Sequence, residues 1–123
     1  MRRILLIAGQ RFSVYAIVVG QGGVSHCPAS DFIEQMSEAS RKSILNVMKQ
    51  HAIAGPLLNE QKSRNLRDGI LEFKSRQGDR LLWFYPPGTR GETVITHGFH
   101  KGAPLNAEIE RAKRLRDQYL SEE

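Results

Sequence analysis

The chain has 123 residues, of which 40% are hydrophobic and 25% charged, which excludes a disordered chain and indicates one globular domain over residues 1–123. The single cysteine, Cys27, excludes an internal disulfide and favours a reducing, cytoplasmic location, and we expect no metal or other cofactor. The formal net charge is +5, and residues 61–101 carry eight basic and four acidic side chains, which is most of the excess. A concentrated basic segment suits a polyanion such as RNA, although a solvated charged face has the same composition.

The N-terminal half predicts a short strand or tail, a longer strand and two helices. The apolar run at residues 4–8 is too short to cross a membrane or to form a signal peptide, so we expect an edge strand or an ordered tail and no membrane contact. Residues 11–20 are rich in β-branched and aromatic side chains and predict a strand. Apolar residues at helical spacing predict helices over 29–36 and 38–54, the second with Ser37 as its N-cap.

The C-terminal half predicts a loop, three short strands and a last helix. Residues 56–69 are polar and basic and are predicted to form a loop. Strands are predicted over 70–75, 80–85 and 93–100, separated by turns rich in Gly and Pro, and they should form an antiparallel meander. A helix is predicted over 106–120. The fold class is therefore α+β, with a twisted antiparallel sheet packed against an N-terminal helical hairpin and a C-terminal helix.

One acid and several cations are predicted to meet at one end of this sheet. Side chains alternate across a strand, so Glu72 and Lys74 should point outward, away from Leu71 and Phe73, and the next turn brings Arg80 back towards them. Such a group suits RNA cleavage, because a base must take the proton of the ribose 2′-hydroxyl while fixed cations stabilise the charged transition state. A cross-strand ladder of surface salt bridges fits the same residues and remains an alternative.

Two histidines lie in the last predicted strand. Because an unperturbed histidine side chain titrates near neutrality, either His97 or His100 could serve as a general acid. Strand alternation places them on opposite faces, so at most one should share a site with Glu72, and the other is expected to be buried and structural.

The second half of the chain contains GILEFKSRQGDRLLWFY, then VITHGFHKGAP, then EIERAKRLRDQYL. These segments resemble the RelE/ParE toxin superfamily, and most closely its HigB-like, phage-derived branch. The resemblance covers roughly residues 12–120 and depends most on the last two segments. It implies a RelE-like fold and cleavage of messenger RNA, often on the ribosome. It also implies a co-encoded antitoxin, commonly a helix-turn-helix protein, whose complex with the toxin can bind the operator DNA of the pair.

The resemblance also assigns site residues one by one. Glu72 and Lys74 match the E-x-R strand, with lysine in place of arginine, Arg80 matches the arginine of the next strand, and Lys101 matches the first basic residue after HGF. Gly102 replaces a second lysine, so a phosphate contact is lost. The predicted catalytic residues are Glu72, Arg80, Lys101 and His100. The predicted RNA-binding residues are Lys62, Arg64, Arg67, Lys74 and Arg76.

Two other functions fit the same sequence. One is a ParE-like inhibitor of DNA gyrase, which shares the scaffold and needs no acid–base pair beside Arg80. The other is a catalytically degenerate phage-related protein kept for binding its partner, which the lost basic residues after HGF would permit. Messenger RNA, the ribosome and the antitoxin are the partners expected for the nuclease.

Overall fold

The computed structural model describes residues 1–55 and 62–122, and within them six strands and three α-helices form one sheet with helices on both faces. A short 3₁₀ turn at Gly22–Val24 precedes the first helix. The elements in chain order are β1 (Arg2–Ala8), β2 (Ser13–Val18), α1 (Pro28–Gln35), α2 (Glu38–Ala54), β3 (Ser63–Arg67), β4 (Ile70–Lys74), β5 (Arg80–Phe84), β6 (Glu92–Phe99) and α3 (Leu105–Ser121).

The sheet is mixed, with the strand order β1-β2-β6-β5-β4-β3. The predicted meander of β4, β5 and β6 is confirmed, and every neighbouring pair is antiparallel except β2 and β6. The expectation of a purely antiparallel sheet is therefore wrong at that one pair. Parallel neighbours need a long crossover connection, and α1 and α2 lie within the segment that connects β2 to β6.

The sequence predicted one of the two outermost strands of the sheet and missed the other. Residues 2–8 form the edge strand β1, which confirms one of the two expectations for the N-terminus. Residues 63–67 were expected to lie in a loop, but they form the opposite edge strand, β3, which pairs with β4. Backbone hydrogen bonds to β4 hold this strand, so it needs no apolar alternation of its own. The first part of the predicted loop, residues 56–61, lies outside the described residues.

Two apolar clusters hold the layers together. The cluster between the sheet and the N-terminal helices contains Phe73 and Trp83 of the sheet and Ile44 and Met48 of α2. The cluster on the other face, beneath α3, contains Leu82, Phe84, Ile109 and Tyr119. Neighbouring residues of β5 thus divide between the two clusters, as strand alternation requires. The sheet is a central layer with helices on both sides.

The helix boundaries agree closely with those predicted. Ser37 caps α2 by accepting a hydrogen bond from the backbone N–H of Ser40 at 3.2 Å, and the helix ends at Gly55, whose φ of 87° is the left-handed conformation that glycine adopts without strain. The first helix begins at Pro28, one residue before the predicted start. Among the described residues, each helix is too short or too polar to cross a membrane.

Candidate functional site

Three strand ends and one turn form a single edge of the sheet. Arg80 is the register partner of both Lys74 on β4 and Phe99 on β6, so the end of β4, the start of β5 and the end of β6 lie side by side. The turn between β4 and β5 closes with a hydrogen bond from the Ser75 N–H to the Asp79 carbonyl at 2.9 Å. We call residues 74–80 and 99–101 the turn edge. Five of the nine predicted site residues lie on it, namely Lys74, Arg76, Arg80, His100 and Lys101.

Glu72, two residue pairs inward from the Lys74–Arg80 pair of the turn edge, is buried between two arginines. Its Oε2 accepts a hydrogen bond from Nε of Arg64 at 3.0 Å, and its Oε1 lies 3.2 Å from Nε of Arg80. The Arg80 contact is an ion pair without the alignment of a hydrogen bond. Glu72 lies on the face opposite Phe73, as predicted, but only 1% of it is exposed. The expectation that it points into solvent is therefore wrong.

The missed strand β3 explains why Glu72 is covered. Arg64 is the register partner of Glu72 across the β3–β4 pair, so its side chain lies over the carboxylate. Both arginines keep part of their surface, with side-chain exposures of 39% for Arg64 and 20% for Arg80. A buried carboxylate between two guanidinium groups is well placed to fix their positions. It is poorly placed to remove a proton from a substrate, since solvent and ligands do not reach it.

His100 lies on the opposite face of the sheet from Glu72. Its ring packs against Phe32 of α1 with 4.7 Å between centroids, and its Nδ1 lies 2.6 Å from Oδ1 of Asp79. The structure thus does not bring His100 to Glu72, although both lie at the same end of the sheet. The side chain of His100 is 63% exposed. The described residues include no group of three His, Cys, Asp or Glu side chains able to hold a metal ion.

Lys101 lies over the turn between β4 and β5. Gly78, at the tip of that turn, has a φ of 94°, and a Cβ built on it would come within 3.0 Å of Cβ and Cδ of Lys101. A glycine there lets the lysine stem pass close to the backbone. The stem of the exposed residue Lys101 therefore lies against the turn that contains Asp79, the partner of His100.

His97 is the buried, structural histidine that alternation predicted. It is 1% exposed and is the register partner of Leu82, which in turn pairs with Glu72. Its Nε2 donates to Oε2 of Glu108 on α3 at 2.9 Å. Burial lowers the pKa of His97 and Arg111 adds to the shift, while the Glu108 hydrogen bond opposes it. His97 thus ties the end of the sheet to α3.

A basic groove lies beside the turn edge, between α2 and the end of β4. It has a volume of about 870 Å³, and Lys62, Lys74 and Arg76, three of the predicted RNA-binding residues, line it. Lys42 of α2 also lines it and was not predicted. The available signal was the set of polar residues of α2 at positions 42, 43 and 46, which follow helical spacing and so lie on one side of the helix. The described lining residues include these four cations and no acid.

Arg67 lies apart from the groove. It is at the far end of β3, where its guanidinium contacts Asp68 at 2.9 Å and Glu110 of α3 at 3.1 Å. Lys113 contacts both of these acids as well. These exposed ion pairs join β3 to α3, and Arg67 is not among the residues that line the groove.

A comparison with protein families identifies a relationship that includes this site. The family described as "Phage derived protein Gp49-like (DUF891)" matches residues 31–117. The match begins within α1 and ends within α3, so it contains the groove residues, the turn edge and Glu72. The two N-terminal strands lie outside it. No curated protein gave a match.

Proposed function

The chain belongs to the Gp49-like family of phage-derived proteins, which is part of the RelE/HigB-like toxin group, and we propose that it is the toxin of a type II toxin–antitoxin pair and cleaves messenger RNA. The observation that carries the proposal is that Lys74, Arg76, Arg80 and Lys101 lie on the turn edge together with His100, whose exposed side chain is bound to the Asp79 carboxylate. Cations there bind the RNA backbone, and the imidazole supplies acid–base chemistry.

The reaction is proposed to proceed through the ribose 2′-hydroxyl. The Nε2 atom of neutral His100 takes the 2′-hydroxyl proton, the O2′–P bond forms and the P–O5′ bond breaks. Lys101 donates a proton to the departing 5′-oxygen. The products are a 2′,3′-cyclic phosphate and a 5′-hydroxyl. Arg80 reaches the surface at the same strand ends as His100, but on the Glu72 face of the sheet. The RNA is therefore proposed to pass over the end of the sheet, where the Arg80 guanidinium stabilises the negative charge that builds up on the phosphate oxygens and lets the reaction proceed without a metal ion.

In this mechanism Glu72 positions other residues and does not act as the general base. Since it is buried between Arg64 and Arg80, it holds their guanidinium groups at fixed positions. A fixed cation stabilises a transition state more effectively than a mobile one, because it does not reorganise during the reaction.

The basic groove is proposed to hold the RNA on one side of the cleaved bond. Lys42, Lys62, Lys74 and Arg76 line this groove of about 870 Å³, and a positively charged groove is the feature that follows the backbone of a single strand. Lysine contacts to phosphate carry no base specificity, so the choice of cleavage site comes from elsewhere. Following the family resemblance, we propose that the ribosome presents the message and that a co-encoded helix-turn-helix antitoxin blocks the toxin.

The proposal is tested by inducible expression, with growth followed over time and the 5′ ends of cellular RNA mapped. Wild-type protein should stop growth and create new 5′-hydroxyl ends within messages. Arg80→Lys keeps the charge but loses the guanidinium fork, so it should reduce the new ends about 10- to 100-fold. Arg114→Lys, an exposed change on α3, is the matched control and should act like wild type. Growth arrest without new RNA ends would contradict the nuclease and favour gyrase inhibition.

A further inference from the structure

The Asp79 carboxylate is held by a closed ring of hydrogen bonds. Its Oδ2 accepts from the Ser40 hydroxyl at 2.5 Å, and a carboxylate oxygen only accepts, so Ser40 uses its hydrogen there. The Ser40 oxygen must then accept from the Ser75 hydroxyl, which lies 2.7 Å away. The Ser75 oxygen accepts from the Asp79 backbone N–H at 3.0 Å. The ring joins α2 to both ends of the β4–β5 turn.

All three members of the ring are covered. Ser40 is 0% exposed, Ser75 1% and Asp79 9%. Burial of an acid beside two serines has a cost unless each polar atom has a partner, and the ring supplies these partners. The other oxygen of the Asp79 carboxylate, Oδ1, points towards the exposed side chain of His100.

This geometry fixes which nitrogen of His100 carries the hydrogen. The Oδ1 atom can only accept, so Nδ1 must be the donor over the 2.6 Å contact. The neutral ring then has its lone pair on Nε2. Among the described residues, no hydrogen bond engages Nε2, and the ring is held in its orientation by Phe32 on one side.

We infer that Asp79 is a positioning residue for RNA cleavage: held by Ser40 and Ser75, it fixes His100 as the Nδ1–H tautomer and presents Nε2 to the 2′-hydroxyl. The inference rests on the proposed function and deepens it, because it names the group that prepares the base. Asp79 itself does not touch RNA in this scheme. Of the charged groups in the described residues, Asp79 from the turn is the one that contacts the ring, and Lys101 is the next residue along the chain.

The first test is the tautomer of His100, measured by ¹⁵N NMR of the imidazole nitrogens in the full-length protein above the pH at which the ring titrates. Wild type should show His100 mainly as the Nδ1–H form. A wild-type His100 in the Nε2–H form overturns the inference at once, without any variant. Asp79→Asn removes the acceptor-only group and should reduce the Nδ1–H fraction. An unchanged tautomer in a folded Asp79→Asn protein also overturns it.

The second test is the kinetics of cleavage of an RNA oligonucleotide. Asp79→Asn should lower kcat about 10- to 100-fold and change KM less than about twofold, since it acts through the base and not through binding. The chain offers a matched control in the exposed pair of His26 and Asp31, whose Nδ1 and Oδ2 atoms are 3.2 Å apart. Asp31→Asn should leave both the His100 tautomer and kcat unchanged.

The outcomes separate this inference from the proposed function. If wild-type protein cleaves no RNA, alone or with ribosomes, the proposed function is overturned, and so is the catalytic role inferred for His100 and Asp79. Wild-type protein that cleaves RNA at a rate unaltered by Asp79→Asn overturns the positioning role alone. A shifted tautomer together with a lower kcat supports both.

Discussion

The Oε1 atom of Glu72 lies 3.2 Å from Nε of Arg80 in an ion pair where the acid is 1% exposed and the arginine side chain 20% exposed. The acid is thus enclosed while the cation reaches the surface. Arg64 completes the arrangement from β3 at 3.0 Å. An enclosed acid that bridges two partly exposed cations stabilises the fold and aligns the cations together, so its removal should affect both stability and activity.

Glu72→Gln is expected to destabilise the fold by about 1–3 kcal/mol. The amide keeps the shape of the side chain but leaves two guanidinium groups next to each other without a countercharge. Part of that cost is relieved because both arginines reach solvent. Urea denaturation measures the effect. Asp117→Asn, which breaks an exposed contact with Arg116, should leave stability unchanged within error. Equal stability of Glu72→Gln and wild type would show that the buried ion pair contributes nothing.

Binding of single-stranded RNA should depend on salt through the groove lysines. Each phosphate contact contributes a slope of about −0.7 to a plot of log affinity against log salt concentration. Lys42→Gln should therefore make the slope about 0.7 less negative, measured by fluorescence anisotropy with a labelled oligonucleotide. Lys49→Gln is the matched control, because Lys49 is exposed on the same helix and does not line the groove. Equal slopes for the two variants would place the RNA elsewhere.

Cleavage should continue in the presence of EDTA. The proposed mechanism uses Arg80, Lys101 and His100 for charge stabilisation and proton transfer and requires no metal at any step. Mass spectrometry of the products should find 2′,3′-cyclic phosphate at the 3′ end of the upstream fragment. Loss of cleavage on chelation, restored by added Mg²⁺, would contradict the mechanism.

Much of the architecture could be predicted from local patterns. Helix α2 shows why: Ser37 and Gly55 mark its ends, and its apolar residues follow helical spacing, so the signal lies within the element. The hairpin of β4 and β5 was likewise marked by a glycine turn. β3 was missed because its sequence is polar and its strand conformation depends on β4. The parallel pairing of β2 and β6 joins residues about 80 positions apart, such as Ser13 and Glu92, and no local pattern reports it.

The candidate site likewise has features that local sequence patterns predict and features that depend on residues distant in the sequence. Strand alternation correctly places Glu72 on the face opposite Phe73. Alternation does not predict which residues bury a side chain on that face, and Glu72 is buried by Arg64 of β3, a strand that the sequence pattern did not predict. Asp79 lies in the turn predicted between the strands over 70–75 and 80–85, and acids are common in turns, so nothing local in the sequence distinguishes it as a site residue. Its partner Ser40 is 39 residues away in sequence, and the proximity of the two appears only when α2 packs against the sheet.

Gly98→Ala is expected to destabilise the fold by about 1–3 kcal/mol through crowding. A Cβ at Gly98 would lie 2.3 Å from Phe32 and 2.8 Å from Leu81, and both would have to move. Since His100 packs on Phe32, its orientation should change as well. Thermal denaturation measures the loss. Gly23→Ala is the control, because a Cβ there would have nothing within 4 Å. Gly98→Ala with wild-type stability would show that α1 moves away freely.

Acid should destabilise the protein through His51. This histidine is 0% exposed, its Nε2 lies 2.8 Å from the Thr93 hydroxyl, and its ring is stacked on Phe12. Burial lowers the pKa of His51 to about 4, below the value of about 6.5 expected in the unfolded chain. Between these two values the unfolded chain binds the proton and the folded protein does not. The stability that depends on neutral His51 is therefore fully present above about pH 6.5. It is lost as the pH falls, by about 1.4 kcal/mol per pH unit down to about pH 4.

The contribution of His51 can be separated from that of His97, whose pKa burial also lowers. His51→Gln removes the titrating group but keeps a polar side chain near Thr93, so its stability should depend less steeply on pH between 4 and 6.5 than that of wild type. The measurement is a series of urea denaturations across this range, compared by slope because the variant is also expected to be less stable at every pH. The exposed His26→Gln is the control and should retain the wild-type slope. Equal slopes for His51→Gln and wild type would mean that the buried imidazole is charged in the folded protein or that His97 carries the whole effect.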